Sequence, residues 1–198
     1  GIDYHAMFTV AEAASFCQRL PPGTLDFIED PIHDGTPSAY RALRQMTEVP
    51  FAVGEAFTSK WDWLPYIEGD LLNLARIDIA NVGGFTEAMK VAAWCEAHYI
   101  EMMPHLAISP IQTATIVHFA AAVPNFAWME DRHRDFRLLL EGGESSYRPP
   151  DADLYPVHLE PEGVRWPVPT GPGLGVEVNE EMLGQPYELA PAVPTRRL

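Results

Sequence analysis

Asp3, Glu29 and Glu55 stand 26 residues apart in turn, and Asp78, His105 and Glu130 follow at intervals of 23, 27 and 25 residues. Each closes a short stretch that reads as a strand: Gly1-Ile2-Asp3, Phe27-Ile28-Glu29, Phe51-Ala52-Val53-Gly54-Glu55, Arg76-Ile77-Asp78, Met102-Met103-Pro104-His105 and Phe126-Ala127-Trp128-Met129-Glu130. A single acid at a strand end is ordinarily a solvated loop residue. Three on consecutive strands in the same register, Asp3, Glu29 and Glu55, make a set of hard oxygen donors. Such a set suits Mg²⁺, which takes oxygen ligands octahedrally and keeps room for water and substrate.

The other three ionisable residues face these acids. Asp78 ends the strand before the one that carries His105, so its carboxylate can accept from one imidazole nitrogen and leave the other free as a base. His5 lies two residues beyond Asp3, on the same side of its strand. That places it opposite His105, with metal and substrate between the two rings. One histidine then removes a proton while the other donates one. Glu130, kept protonated by burial and like charge, would donate a hydrogen bond to developing oxyanion charge.

His33, His98, His118, His133 and His158 fall in loops, helices or the C-terminal region and carry no comparable pairing. Trp61, Trp63 and Trp94 read as core or interface residues. Gly83-Gly84 is a strand-to-helix turn. No P-loop, dinucleotide fingerprint or Gly-x-Ser-x-Gly elbow occurs.

These residues must be held by a repeating unit of one strand and one helix, the length that the interval allows. Thr9-x-x-Glu12 opens a helix to about Leu20, and Pro21-Pro22-Gly23 ends it. A strand over Asp26 to Ile32 precedes Thr36-Pro37, which supplies an N-cap and first-turn proline for a helix to about Thr47. A strand from Pro50 to Glu55 is followed by a short helix capped by Ser59-x-x-Asp62. Leu71 to Ile79 is apolar nearly throughout, as expected of a parallel strand buried on both faces. Further helices are expected from Phe85 to about Ala97 and from Ile111 to Val123, with strands at Ile100 to Pro104 and Phe126 to Met129.

Alternating strands and helices require a parallel sheet with right-handed crossovers. Only a closed barrel points all the strand ends at one centre, so the pattern predicts an α/β chain forming part of a (β/α) TIM-type barrel over residues 1–133. Six strands are visible where closure needs eight. Residues 134–198 lose the period: ten prolines lie between Pro149 and Pro194, around Gly171-Pro172-Gly173-Leu174-Gly175. They are expected to form an irregular segment packing on the barrel or a capping domain, with short strands at Val164 to Trp166 and Val176 to Val178.

With 198 residues and 47% hydrophobic content the chain can bury a sizeable core. A formal charge of −15 argues against nucleic acid or an anionic membrane as partner. Cys17 and Cys95 have no metal-ligand spacing and read as buried free thiols, in keeping with a cytoplasmic setting. No apolar run reaches the ~18 residues of a membrane helix.

Taken together, Gly1-Ile2-Asp3-Tyr4-His5, Phe27-Ile28-Glu29-Asp30-Pro31, Val53-Gly54-Glu55, Asp78 with Gly83-Gly84, Pro104-His105 with Pro110, Glu130 and Gly171-Pro172-Gly173-Leu174-Gly175 resemble the C-terminal part of an enolase-superfamily acid-sugar dehydratase. The resemblance is to the galactonate dehydratase group on the mandelate racemase side. It implies Asp3, Glu29 and Glu55 as Mg²⁺ ligands, His105 as general base oriented by Asp78, His5 as general acid, and Glu130 near the enolate oxygen. The implied reaction converts an aldonate to a 2-keto-3-deoxy acid, and a homo-oligomer is the expected assembly. The family's capping domain and first two strands have no counterpart in these residues, so the site is expected to need that N-terminal part. Asp30 stands where a second glutamate is usual, Ala6-Met7 follow His5, and Ala80-Asn81-Val82 precede the double glycine. A racemase, epimerase or cycloisomerase would use the same metal and base. A non-catalytic scaffold fragment and, more remotely, a metal hydrolase barrel are the readings from other classes.

Overall fold

The computed structural model describes residues 1–106, 109–131 and 153–183. Among these residues five strands and five α-helices alternate: β1 (Ile2–Asp3), α1 (Val10–Gln18), β2 (Ile28–Glu29), α2 (Pro37–Arg44), β3 (Phe51–Val53), α3 (Lys60–Ile67), β4 (Leu74–Ala75), α4 (Phe85–Ala97), β5 (Glu101–Met102) and α5 (Pro110–Ala122), with a 3-10 turn at Glu180–Met182. The strands lie side by side in chain order and every pairing is parallel. Asp3 is level with Glu29, and Glu29 with Ala52.

Local chemistry starts the helices where the sequence indicates. Thr9 accepts from the Glu12 amide while Glu12 accepts from the Thr9 amide, and Ser59 and Asp62 form the same reciprocal pair ahead of α3. Gly83 and Gly84 turn the chain into α4 with φ of 104° and 89°, a conformation that a Cβ would oppose. Thr36 does occupy the N-cap of α2, but its side chain makes no capping hydrogen bond. Cys17 and Cys95 are both buried and free.

The strands are shorter than the apolar runs that announce them. The run Asp26 to Ile32 yields only Ile28–Glu29, because Asp30 adopts φ 33° and turns the chain out of the ladder. Leu71 to Ile79 pairs formally only at Leu74–Ala75. Backbone bonds nevertheless run on past these limits: Arg76 N donates to Val53 O at 2.9 Å and His105 N to Ile77 O at 3.0 Å. The expected sixth strand reduces to one parallel bridge, Met102 with Phe126. The two short strands expected near the C-terminus are likewise isolated antiparallel bridges, Glu162 with Arg165 and Val157 with Glu177. The expected boundary at residue 133 lies outside the described residues.

Alternation along the strands sorts side chains onto two faces. Ile28, Phe51, Val53, Ala75, Ile77 and Met102 point to the helices and form the main core with Tyr40, Leu43, Trp63, Tyr66, Val91, Ile116 and Phe119. Each of the Ile, Val, Leu, Phe and Met side chains among them, fully buried, contributes roughly 1.5–3 kcal/mol. The opposite face carries a small apolar layer of Ala52, Leu74 and Met103, flanked by Phe27 and Ala127. Glu29 and Arg76 continue that face two residues further along their strands. Beyond α5, Leu159, Trp166, Leu174 and Val176 pack on Ala114, Val117 and Met129. Among the described residues no helix is long and apolar enough to cross a membrane.

Trp61 is exposed and so lies outside the core, whereas Trp63 is fully buried with its ring against Phe57 at 4.9 Å. The Trp63 ring also covers Gly54, where an added Cβ would lie 2.3 Å from it and φ is 123°. Gly54→Ala therefore combines a clash with a backbone conformation that alanine resists, and is expected to cost about 2–4 kcal/mol of stability, read as a lowered denaturant midpoint.

Candidate active site

β1 ends in a tight, left-handed turn: His5 and Ala6 have φ of 50° and 60°, and the His5 amide donates to Asp3 Oδ1 at 2.7 Å. Ala6 N then bonds Asp30 O at 2.7 Å and Phe8 N bonds Pro31 O at 3.2 Å, so the segments after β1 and β2 are laced together. Two helix tyrosines brace the second segment: Tyr40 donates to Ile32 O at 2.7 Å and Tyr66 to Asp34 O at 2.6 Å. Three non-glycine residues at positive φ in one place store roughly 1–3 kcal/mol each, held by these bonds.

The two histidines converge on one carboxylate. His5 Nε2 lies 3.4 Å from Glu55 Oε1, and His105 Nε2 lies 3.6 Å from Glu55 Oε2. His105 Nδ1 faces Asp78 Oδ2 at 2.9 Å. The rings thus flank Glu55, where the sequence reading had only metal and substrate between them. Asp78 raises the His105 imidazole above the ordinary histidine value, against the opposing effect of burial and with help from Glu55 and Glu130. Burial by itself would raise the Asp78 carboxyl, but the hydrogen bonds from His105 and from the Asn81 and Ala80 amides hold it below the usual aspartate value. Asp78 Oδ2 also accepts from Gln112 Nε2 at 2.9 Å.

Arg76 is the site residue to which the sequence reading assigned no role. It is buried on the inner face, with Nε 2.5 Å from Glu29 Oε1 and Nη2 2.6 Å from Glu130 Oε2. Its Nη1 donates to the carbonyls of Met103 and Pro104 at 3.1 and 3.0 Å. An arginine in the largely apolar run Leu71 to Ile79 was the available signal, since a buried guanidinium demands partners. Glu130 meets that guanidinium, and its Oε2 also accepts from the Leu106 amide at 2.9 Å, so this oxygen acts as an acceptor. Asp3, Glu29, Arg76 and Glu130 line a cleft of about 240 Å³ whose apolar wall is Phe27, Met103, Trp128 and Met129.

The donor chemistry fits a hard divalent cation. Burial, together with Glu55, Glu29, Asp34 and Asp3, pushes the Asp30 carboxyl up to about 8, and its Oδ1 is buried without a hydrogen-bond partner. Burial also raises Glu29, despite Arg76, with Asp3 and Glu130 adding to the repulsion. This is an excess of carboxylate that a cation would relieve. Among the described residues, however, no three His, Cys, Asp or Glu side chains stand in metal-ligating geometry. Glu29 turns one oxygen to Arg76, Asp3 holds the His5 amide, and Glu55 lies between the histidines.

Of the remaining histidines, His33 is an exposed loop residue, His98 lies 3.5 Å from Glu68, His118 on α5 lies 3.3 Å from Leu174 O, and His158 lies 2.8 Å from Tyr155 O. His133 lies outside the described residues.

Arg76→Met leaves the buried Glu29 and the partly buried Glu130 without their cation and is expected to cost about 3–5 kcal/mol in chemical denaturation. Asp30 gives a pH dependence. Its folded value is near 8 and its unfolded value near 3.8, so the folded chain holds a proton that the unfolded chain releases between these limits. The associated stability is complete below pH ~4 and declines as pH rises toward 8, by at most about 1.4 kcal/mol per unit. Asp30→Asn tolerates the same left-handed backbone and should flatten the metal-free melting temperature across that window.

Comparison with known proteins places this geometry. Residues 1–182 match the family model described as enolase C-terminal domain-like. A D-mannonate dehydratase of Caulobacter sp. strain K31 is 33% identical over 99% of this chain and 46% of its own length. A D-gluconate dehydratase of Thermoproteus tenax is 32% identical over 96% of this chain and 36% of its own. A crystal structure of an enolase from Pantoea ananatis with bound D-gluconate and Mg superposes with a TM-score of 0.75 at 28% identity, covering 91% of this chain and 41% of that one. The chain thus spans less than half the length of these relatives. The parallel sheet, with acids and a histidine–aspartate pair at its C-terminal edge, is the barrel portion of that fold, and the chain belongs to the enolase C-terminal domain-like family.

Proposed function

We propose that the protein carrying this chain dehydrates an acid sugar, removing the proton beside the carboxylate and expelling the hydroxyl on the next carbon. The observation that carries this reading is the pair of histidines facing each other across Glu55, one backed by Asp78 and the other exposed at the end of β1. The acid-sugar dehydratases among the relatives support it.

His105 is suited to be the base. Its Nδ1 hydrogen is committed to Asp78, which leaves Nε2 to take the proton on the carbon next to the carboxylate. The imidazolium that results is stabilised by the charge on Asp78. His5, at 70% side-chain exposure, can recharge from solvent and deliver a proton from Nε2 to the departing hydroxyl, which leaves as water. The enol that remains rearranges to a 2-keto-3-deoxy acid, so one C–H and one C–O bond break and no oxidant is needed. Asp3, Glu29 and Glu55 would hold Mg²⁺, which supplies positive charge against the electron density that builds on the substrate carboxylate. Arg76 keeps Glu29 and Glu130 fixed while this occurs, and Glu130 fixes the Leu106 amide just beyond His105. The sugar itself is held in part by residues outside this chain, in keeping with its share of the relatives' length.

The test is a panel of aldonic acids supplied to the full-length protein with Mg²⁺ and assayed for 2-keto-3-deoxy products. His105→Asn and His5→Ala should each lower kcat by at least about 100-fold. Full turnover in both variants, or epimerised substrate without a keto product, would overturn the reading.

A further inference from the structure

Asp78 is held at both of its oxygens. Oδ1 accepts from the Ala80 amide at 2.8 Å and the Asn81 amide at 2.9 Å, which anchor the carboxylate to its own loop. Oδ2 accepts from His105 Nδ1 and from Gln112 Nε2, each at 2.9 Å. An ionised carboxylate offers about four lone-pair positions, and these four donors fill them. Gln112 must present its NH₂ end, since the partner can only accept.

The place of Gln112 in α5 bears on its role. Ser109 is the N-cap and Gln112 stands three residues on, the Ser-x-x-Gln spacing in which the glutamine ordinarily reaches back to the N-cap amide. Here Ser109 makes no side-chain cap bond, and the Gln112 amide is spent on Asp78, 34 residues away. A local contact that the sequence offers is replaced by a tertiary one directed at the acid that orients the base.

We propose that Gln112 is a positioning residue: its amide, donating to Asp78 Oδ2, fixes the plane of that carboxylate and so the tautomer and tilt of the His105 ring. Without it, one lone pair of Oδ2 opens to water, and the carboxylate can rotate toward a second solvent donor. The His105 Nδ1–H bond then loses direction, and Nε2 swings off the line to the carbon it must deprotonate. The kinetic consequence rests on the proposed dehydration; the structural one does not.

The experiment uses the full-length protein with Gln112→Met, which keeps length and helix propensity but has no donor, and Gln112→Ala beside it. In the metal- and substrate-free protein, at a pH alkaline enough to keep the imidazole neutral, ¹⁵N NMR of His105 should show Nδ1 protonated and Nε2 bare in the wild type, and a tautomer mixture in Gln112→Met. With the acid sugar that the wild type turns over, kcat should fall about 10-fold while KM changes less than about twofold. An unchanged His105 spectrum in a folded Gln112→Met variant overturns the proposal, including the case where kcat falls only in step with melting temperature. If the wild type turns over no acid sugar, the functional reading fails, and the spectrum still decides the role of Gln112.

Discussion

The inner face of the sheet is governed by one guanidinium. Arg76 is buried between the end of β2, the loop after β5 and the stretch that leads to Glu130, and its donors reach all three. A charge so placed is stable only while every partner stays in register, because losing one leaves the others in a poorly solvated cleft. The positions of Glu29 and Glu130, and through Leu106 the segment beyond His105, therefore depend on this one side chain. Among the described residues Asp3, Asp30 and Glu55 have no arginine or lysine of that kind, and Glu55, Glu29, Asp34 and Asp3 add to burial in raising the Asp30 carboxyl.

Stability and chemistry are divided between the two faces of one sheet. The helix-facing side is an apolar core with large side chains such as Trp63, Tyr40 and Tyr66 at its centre. The inner side carries only a thin apolar layer and gives its strand ends to charge. Left-handed backbone at His5, Ala6 and Asp30 lies on the border between them. The tyrosine hydroxyls of α2 and α3 link the two, since the same rings that fill the core also hold the carbonyls of the loop after Asp30.

Much of this was legible in the chain. The Thr9 and Ser59 capping boxes, the double glycine before α4, the buried thiols and the order of strand and helix are local, and each follows from neighbouring residues. The pairing of Asp78 with His105 also followed from strand order, because adjacent parallel strands bring equivalent ends together. Strand lengths did not. An apolar run records burial, whereas a ladder needs continuous pairing, and the left-handed turn at Asp30 breaks it in a way that composition does not show. Arg76 and Gln112 were missed as contributors because their partners lie 47 and 34 residues distant, and nothing in the chain names them.

The sequence by itself determined the kind of fold and the identity of the ionisable groups at its mouth, because a period near 26 residues, with apolar runs alternating with helix signals, is the length of a strand–helix unit, and repeated units place their ends on one side. Only the tertiary structure decided which of those groups are neutralised and which are left in excess. That depends on distances of a few ångströms between residues far apart in the chain: Glu130 against a guanidinium instead of alone, Glu55 between two imidazoles, Asp30 without a partner for one oxygen. Charge at a site is a property of neighbours in space, and spacing along a chain fixes only who is available to become one.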